Sequence, residues 1–180
     1  KFAKKIPPGE TVLILSLGGS ESSVTIAYDG FACLIRPLSV SGRSFTEAIA
    51  NYHKFDLQKA ESVKKSEGLK NQNSADAICM PALSGQIESM VVDLEHTFKF
   101  FSHQLMKSRV VSYERVILCG GAAALKSLDK YLSEKLAVPV EVFNPLESEM
   151  FTSARPLGPE TKENGHSFAA AAGMAVRCLE

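Results

Sequence analysis

An α/β fold, a mixed sheet with flanking helices, follows from three observations. Two short apolar runs end in paired glycines: Thr11–Leu17 before Gly18-Gly19, and Arg115–Cys119 before Gly120-Gly121. Between them, Leu83, Ile87, Val91, Leu94, Phe98, Phe101 and Leu105 recur at spacings of 3 and 4, the period of a helix. The chain order is three strands, two helices, a long helix, then strand–helix–strand–helix, and helices interleaved with strands build a layered α/β domain.

The elements are justified in turn. Thr11–Leu17, apolar except for Thr11 and Ser16 and ended by Gly18-Gly19, reads as a buried strand. Ser22–Tyr28 alternates, with Val24 and Ile26 against Ser23 and Thr25, and Asp29-Gly30 is a two-residue hairpin turn. Phe31–Leu38 returns as the third strand. Ser41–His53 is helical, with Phe45, Ile49 and Tyr52 on one stripe. Asp56 is positioned to cap a second helix, Leu57–Ser66, that Gly68 stops. The polar stretch Lys70–Ala77 reads as a mobile loop. Pro81 suits the first turn of a helix reaching about Lys107, roughly 40 Å long at the helical rise. Ala122–Leu136 reads as one helix, Pro139–Phe143 as a short strand, Leu146–Gly165 as irregular and Ser167–Leu179 as an Ala-rich helix.

Composition narrows the function classes. The 180 residues are 45% hydrophobic and 22% charged, ordinary for a folded domain. Twenty Lys and Arg balance twenty Asp and Glu, which leaves no electrostatic footing for nucleic acid or an acidic membrane. No apolar stretch approaches the length of a membrane span. The four cysteines (Cys33, Cys79, Cys119, Cys178) form no C-x-x-C pair, so the chain reads as reduced and cytosolic, with no zinc site. Cys33 and Cys119 lie in apolar runs and are expected to act as small hydrophobes. His96 and His103 are seven apart on the long helix, too far for one metal ion, and read as polar-face residues. The five methionines are scattered and read as packing filler. The start, without an initiator Met, reads as a point inside a longer protein.

Three motifs could carry chemistry. Ser16-Leu-Gly18-Gly19-Ser20-Glu21-Ser22-Ser23 places glycines and hydroxyls after a strand, where backbone N–H groups can hold phosphate oxygens; it also reads as a hairpin with a polar tip. Glu61 and Lys64, in Ala60-Glu-Ser-Val-Lys64, share a helix face, either as a surface ion pair or aimed together at one ligand, for example ribose hydroxyls. Gly120-Gly121-Ala122 turns a strand into a helix, where a flat ligand could lie on backbone; α/β folds also use such turns structurally.

In this order the three motifs resemble the second lobe of the actin-like ATPases, whose sheet is ribonuclease H-like. Within that superfamily, Val116–Pro145, Ser41–Ala50 and Ser167–Arg177 are similar to the PilM family of type IV pilus assembly. The resemblance implies a second lobe over residues 11–180, residues 1–10 being a linker or remnant. Two interleaved subdomains are possible, 70–114 supplying the long-helix part of the smaller one. It implies ATP or ADP as ligand: Gly18, Gly19 and Ser20 at the phosphates, Glu61 and Lys64 at the ribose, Gly120, Gly121 and Ala122 beside the adenine. Magnesium is implied too, yet the acid that would help hold it is Ser16 here, and a neutral hydroxyl cannot offset metal charge. That departure speaks against hydrolysis and for a scaffold. The implied partners are other pilus assembly proteins and the tail of a PilN-like inner-membrane protein, with the chain cytoplasmic and peripheral to that membrane. An active ATPase or small-molecule kinase, and an FtsA-like polymer, remain the alternatives.

Overall fold

The computed structural model describes residues 9–69, 77–105, 112–148 and 156–177. Five strands form one sheet: β1 (Thr11–Leu17), β2 (Ser22–Tyr28), β3 (Phe31–Pro37), β4 (Arg115–Cys119) and β5 (Val140–Val142), in the order β3-β2-β1-β4-β5. β1, β2 and β3 form an antiparallel meander, while β4 and β5 run parallel to β1. The β2–β3 turn is Asp29-Gly30, with φ of 52° and 80°; positive φ at both positions matches the right-handed strand twist.

β1 is central, and Val12, Leu13, Leu15 and Leu17 are fully buried. Leu13, Leu15 and Leu17 join Val24, Ile26, Val116 and Leu118 in the main core. That core also holds Phe45 and Ile49 of α1 (Gly42–His53) and Leu83, Ile87, Met90 and Leu94 of α3 (Cys79–Phe100). Val12, Ala27 and Ile117 make a smaller cluster with Ile14 and Phe143. Among the described residues, no helix is long and apolar enough to cross a membrane.

Local chemistry sets the helix ends. Ser41 is the N-cap of α1: its Oγ accepts from Ser44 N at 3.2 Å, and Ser44 Oγ accepts from Ser41 N at 2.8 Å. Asp56 Oδ1 accepts from Lys59 N at 2.8 Å and caps α2 (Leu57–Glu67), with Gly68 at its end.

Three expectations are corrected. The single helix over Ala122–Leu136 is instead a 3-10 turn (Gly121–Ala124) and then α4 (Leu128–Leu136). The chain leaves helical geometry between them because Lys126 O accepts from Leu69 N at 2.8 Å, and Ser127 takes a φ of 65°. The long helix holds Pro81 in its first turn, as expected; after Phe100 it widens into a π turn (Phe101–Leu105), and Lys107 lies outside the described residues. Leu146–Gly165 is not wholly irregular: α5 (Pro159–Glu163) lies within it, and a 3-10 turn (Gly165–Phe168) precedes α6 (Ala169–Arg177). Cys33 is exposed rather than packed. It lies on β3, the sheet edge, where Phe31 and Ile35 are also 74% and 66% exposed; an apolar run does not tell an edge strand from an inner one. Cys119 is buried, as expected. The β2–β3 register shifts between Ile26 and Ala27: Ile26 pairs with Leu34 and Ala27 with Ala32, which skips Cys33. His96 and His103 are exposed. Residues 70–76 of the expected loop lie outside the described residues.

Two glycines on the sheet's C-terminal edge differ sharply in what they tolerate. Gly120 has a φ of 90°, and a Cβ there would lie 2.4 Å from Leu17 O, whereas nothing lies within 4 Å of a Cβ on Gly19. Gly120→Ala is expected to cost at least about 2 kcal/mol, and Gly19→Ala within about 0.5 kcal/mol, measured by denaturant unfolding of each variant. Equal costs at the two sites would contradict this packing.

Candidate functional site

The site is built where β1 and β4 end. These strands are parallel and in register, Ser16 beside Cys119, so the turns that follow them emerge together. Ligands of open α/β sheets sit outside the carboxyl ends of such strands. Gly120 packs against Leu17 O, and its N–H donates to His166 O at 2.9 Å, which brings the C-terminal segment onto the same edge.

The start of α1 lies between the two corners. Gly42 N donates to Gly18 O at 2.8 Å, and Arg43 N donates to Gly19 O at 2.7 Å. A Cβ on Gly42 would meet Ala122 Cβ at 3.1 Å and Gly18 O at 3.2 Å, so a side chain there would force these neighbours apart. Gly18 closes its own turn by donating to Glu21 O at 3.0 Å.

Glu61 and Lys64 project from α2 toward the same place. Lys64 Nζ lies 2.6 Å from Glu61 Oε2, and the Lys64 side chain is only 11% exposed against 37% for Glu61. Lys64 also donates to Gly42 O at 2.9 Å and to Thr46 Oγ1 at 2.7 Å. Thr46 Oγ1 lies 2.6 Å from Glu61 Oε2 and 3.0 Å from Gly42 O. Lys65 Nζ adds a longer contact to Glu61 Oε1 at 3.4 Å. Thus the pair is no isolated surface bridge: it ties α2 to the first turn of α1. Burial pushes the Glu61 carboxyl up, but hydrogen bonds from Lys64 and Thr46, with the charges of Lys64 and Lys65, outweigh it and hold the pKa below the ordinary value.

These elements enclose a cavity of about 870 Å³. Of the residues singled out from sequence, Gly19, Ser20, Glu61, Lys64, Gly121 and Ala122 line it. Gly18 and Gly120 are outside the lining and shape the corners behind it. Sequence reasoning missed Thr46, Arg43, Lys126 and His166, which also line the cavity. Thr46 carried one legible signal, its position one turn after Gly42 on the helix face that also holds Phe45 and Ile49. Lys126 had none, because its place depends on the broken helix; its Nζ donates to Ser66 O at 2.7 Å. His166 is 5% exposed and its Nε2 has no hydrogen-bond partner.

Ser16 lies on the seam behind the first corner. It pairs with Cys119 across β1 and β4, and burial pushes the Cys119 thiol's pKa up by more than the neighbouring Ser16 hydroxyl lowers it. Among the described residues, no group of three or more His, Cys, Asp or Glu side chains could hold a metal ion.

A five-stranded mixed sheet whose two glycine corners meet beside a carboxylate–ammonium pair defines an actin-like fold. Solved structures agree. MreB 5 of Spiroplasma citri bound to AMPPNP superposes with a TM-score of 0.60 at 15% identity, over 96% of this chain and 56% of that one. The ethanolamine utilization protein EutJ from Carboxydothermus hydrogenoformans gives 0.56 at 17% identity, over 89% and 50%. At such identities the likeness is one of fold. The structure of a PilM-PilN type IV pilus biogenesis complex gives 0.77 at 30% identity, over 96% of this chain and 47% of that one. The chain therefore spans about half the length of the solved relatives it matches. The family model for type IV pilus assembly protein PilM matches residues 4–179. The chain belongs to that family.

The depressed Glu61 pKa fixes a sign. Stability from a carboxylate of this kind is present above its unfolded pKa and lost as pH falls through its folded one. Wild-type protein is expected to lose its thermal advantage over Glu61→Gln as the pH drops below the ordinary carboxylate value of 4.5, when melting temperatures are compared across an acid series. A difference that stays flat through that range would contradict the ionised clamp.

Proposed function

We propose that the chain is the second lobe of a PilM-like scaffold of type IV pilus assembly, a protein that works by binding other proteins. In this reading residues 11–180 form the lobe and 1–10 lead into it, with 70–114 contributing the long helix of its smaller part. The scaffold is cytoplasmic and reaches the inner membrane through the tail of a PilN-like protein, alongside other pilus assembly proteins. Support comes from the family membership and from the likeness to the chain solved in a PilM-PilN complex.

A nucleotide of the ATP or ADP class is the ligand proposed for the cavity, in a regulatory or vestigial role. The observation that carries this is convergence: both glycine corners, Glu61 and Lys64 meet at one cavity of about 870 Å³, within the size range of small-molecule sites. The residues fit such a group. Gly19 offers bare backbone with nothing within 4 Å of a Cβ, and Gly121 has only Ser167 Oγ at 3.8 Å. Glu61 presents acceptors for a vicinal diol, and Arg43, Lys64, Lys65 and Lys126 line the cavity as cations for an anionic ligand. Magnesium fits less well. The strand position expected to carry an acid is Ser16, a neutral hydroxyl that cannot offset metal charge.

Calorimetry and thermal melts of the full-length protein with ADP and ATP, with and without magnesium, test this. Saturating ADP is expected to stabilise the protein by about 2.7 kcal/mol at a hundred times Kd. Gly121→Val, which fills the bare backbone, is expected to abolish that shift without unfolding the protein. No stabilisation by either nucleotide would remove the ligand from the proposal. Steady phosphate release would favour the alternative, an actin-like ATPase or small-molecule kinase.

A further inference from the structure

Thr46 is buried, 6% exposed, and lies outside the three sequence motifs. Its hydroxyl nonetheless stands between two acceptors. Oγ1 is 2.6 Å from Glu61 Oε2 and 3.0 Å from Gly42 O, while Lys64 Nζ donates to it at 2.7 Å. A threonine hydroxyl has one hydrogen. With Lys64 occupying one of its lone pairs, Thr46 can donate to Glu61 or to Gly42 O, not fully to both. The shorter contact goes to the charged acceptor, as charge-assisted bonds do.

The second acceptor, to which Lys64 Nζ already donates at 2.9 Å, leads to the first glycine corner, and a turn of the Thr46 hydroxyl adds a further donor to it. Gly42 O belongs to the same peptide group as Arg43 N–H, and that N–H donates to Gly19 O at 2.7 Å. A donor arriving on the oxygen of a peptide polarises its N–H and strengthens the bond that the N–H makes. Oε1 has only the Lys65 contact at 3.4 Å, so it is a vicinal diol donating to both carboxylate oxygens of Glu61 that competes with Thr46 for Oε2. The hydroxyl then turns toward Gly42 O, and Arg43 N–H tightens on Gly19. We propose that Thr46 is a positioning residue that transmits occupancy of Glu61 by a vicinal-diol ligand to the Gly18–Gly19 corner through the Gly42–Arg43 peptide. This rests on the nucleoside reading of the cavity and adds to it a link between the diol end and the glycine corner.

Hydrogen exchange at the Arg43 amide of the full-length protein reads that link. Adenosine, which has the diol and no phosphate, is expected to slow this exchange several-fold, and 2′,3′-dideoxyadenosine is expected to leave it unchanged. In Thr46→Val, adenosine bound to saturation by calorimetry is expected to leave Arg43 exchange unaltered, while Thr46→Ser restores the response. A thermal melt shows whether Thr46→Val is folded; if it is not, the adenosine against dideoxyadenosine comparison in wild type decides alone. Wild-type protein that binds adenosine with no change at Arg43, or a response retained in Thr46→Val, overturns the link and leaves the nucleoside reading standing. Wild-type protein that binds no adenosine overturns the link, and wild-type protein that is also not stabilised by ADP or ATP overturns the nucleotide reading with it.

Discussion

Everything at this site depends on one close approach, that of the Gly120 α-carbon to the carbonyl that ends β1. A Cβ at Gly120 would lie 2.8 Å from Leu17 C as well as 2.4 Å from its oxygen, and the backbone there has a φ that side chains rarely accept. Glycine therefore permits two parallel strands to end in contact and still turn apart. Once they do, Gly18 and Gly19 meet the first turn of α1, Gly120 N–H reaches His166 O, and four separate stretches of chain share a single edge. The cavity is the space left between them.

Polar interactions then decide how that edge is held. An exposed ion pair contributes little, because solvent screens it and two long side chains must be ordered. Glu61 and Lys64 differ from that case. Lys64 makes three contacts, to Glu61, Thr46 and Gly42 O, and is largely withdrawn from water. A half-buried ammonium needs such partners, since leaving it without them would cost more than the bonds return. The same geometry makes the clamp sensitive to anything that competes for the carboxylate.

The strands and most helix boundaries were legible in the residues, since burial on both faces, alternation and caps each leave a pattern: Thr11–Leu17, Ser22–Tyr28 and the Asp56 cap are cases. So were the two glycine corners, because a paired glycine after an apolar run constrains backbone before it constrains anything else. Glu61 and Lys64 could be paired from their spacing, but not their burial, which comes from Thr46 and Gly42 fifteen or more residues away. The split of Ala122–Leu136 was illegible for a related reason. Its local sequence favours helix, and what breaks it is a carbonyl at Lys126 taken by Leu69, a contact no local window contains. Cys33 failed differently: an apolar strand reads alike at the centre and at the rim of a sheet.

The skipped pairing at Cys33 has a consequence for the assembled protein. A regular rim strand with bare amides and carbonyls invites a neighbouring molecule to extend the sheet, and apolar groups such as Phe31 and Ile35 would reward it. The slip at Ile26 and Ala27 interrupts the spacing of those groups, so an incoming strand cannot match them in sequence. The bulge thereby works against regular sheet extension along that rim.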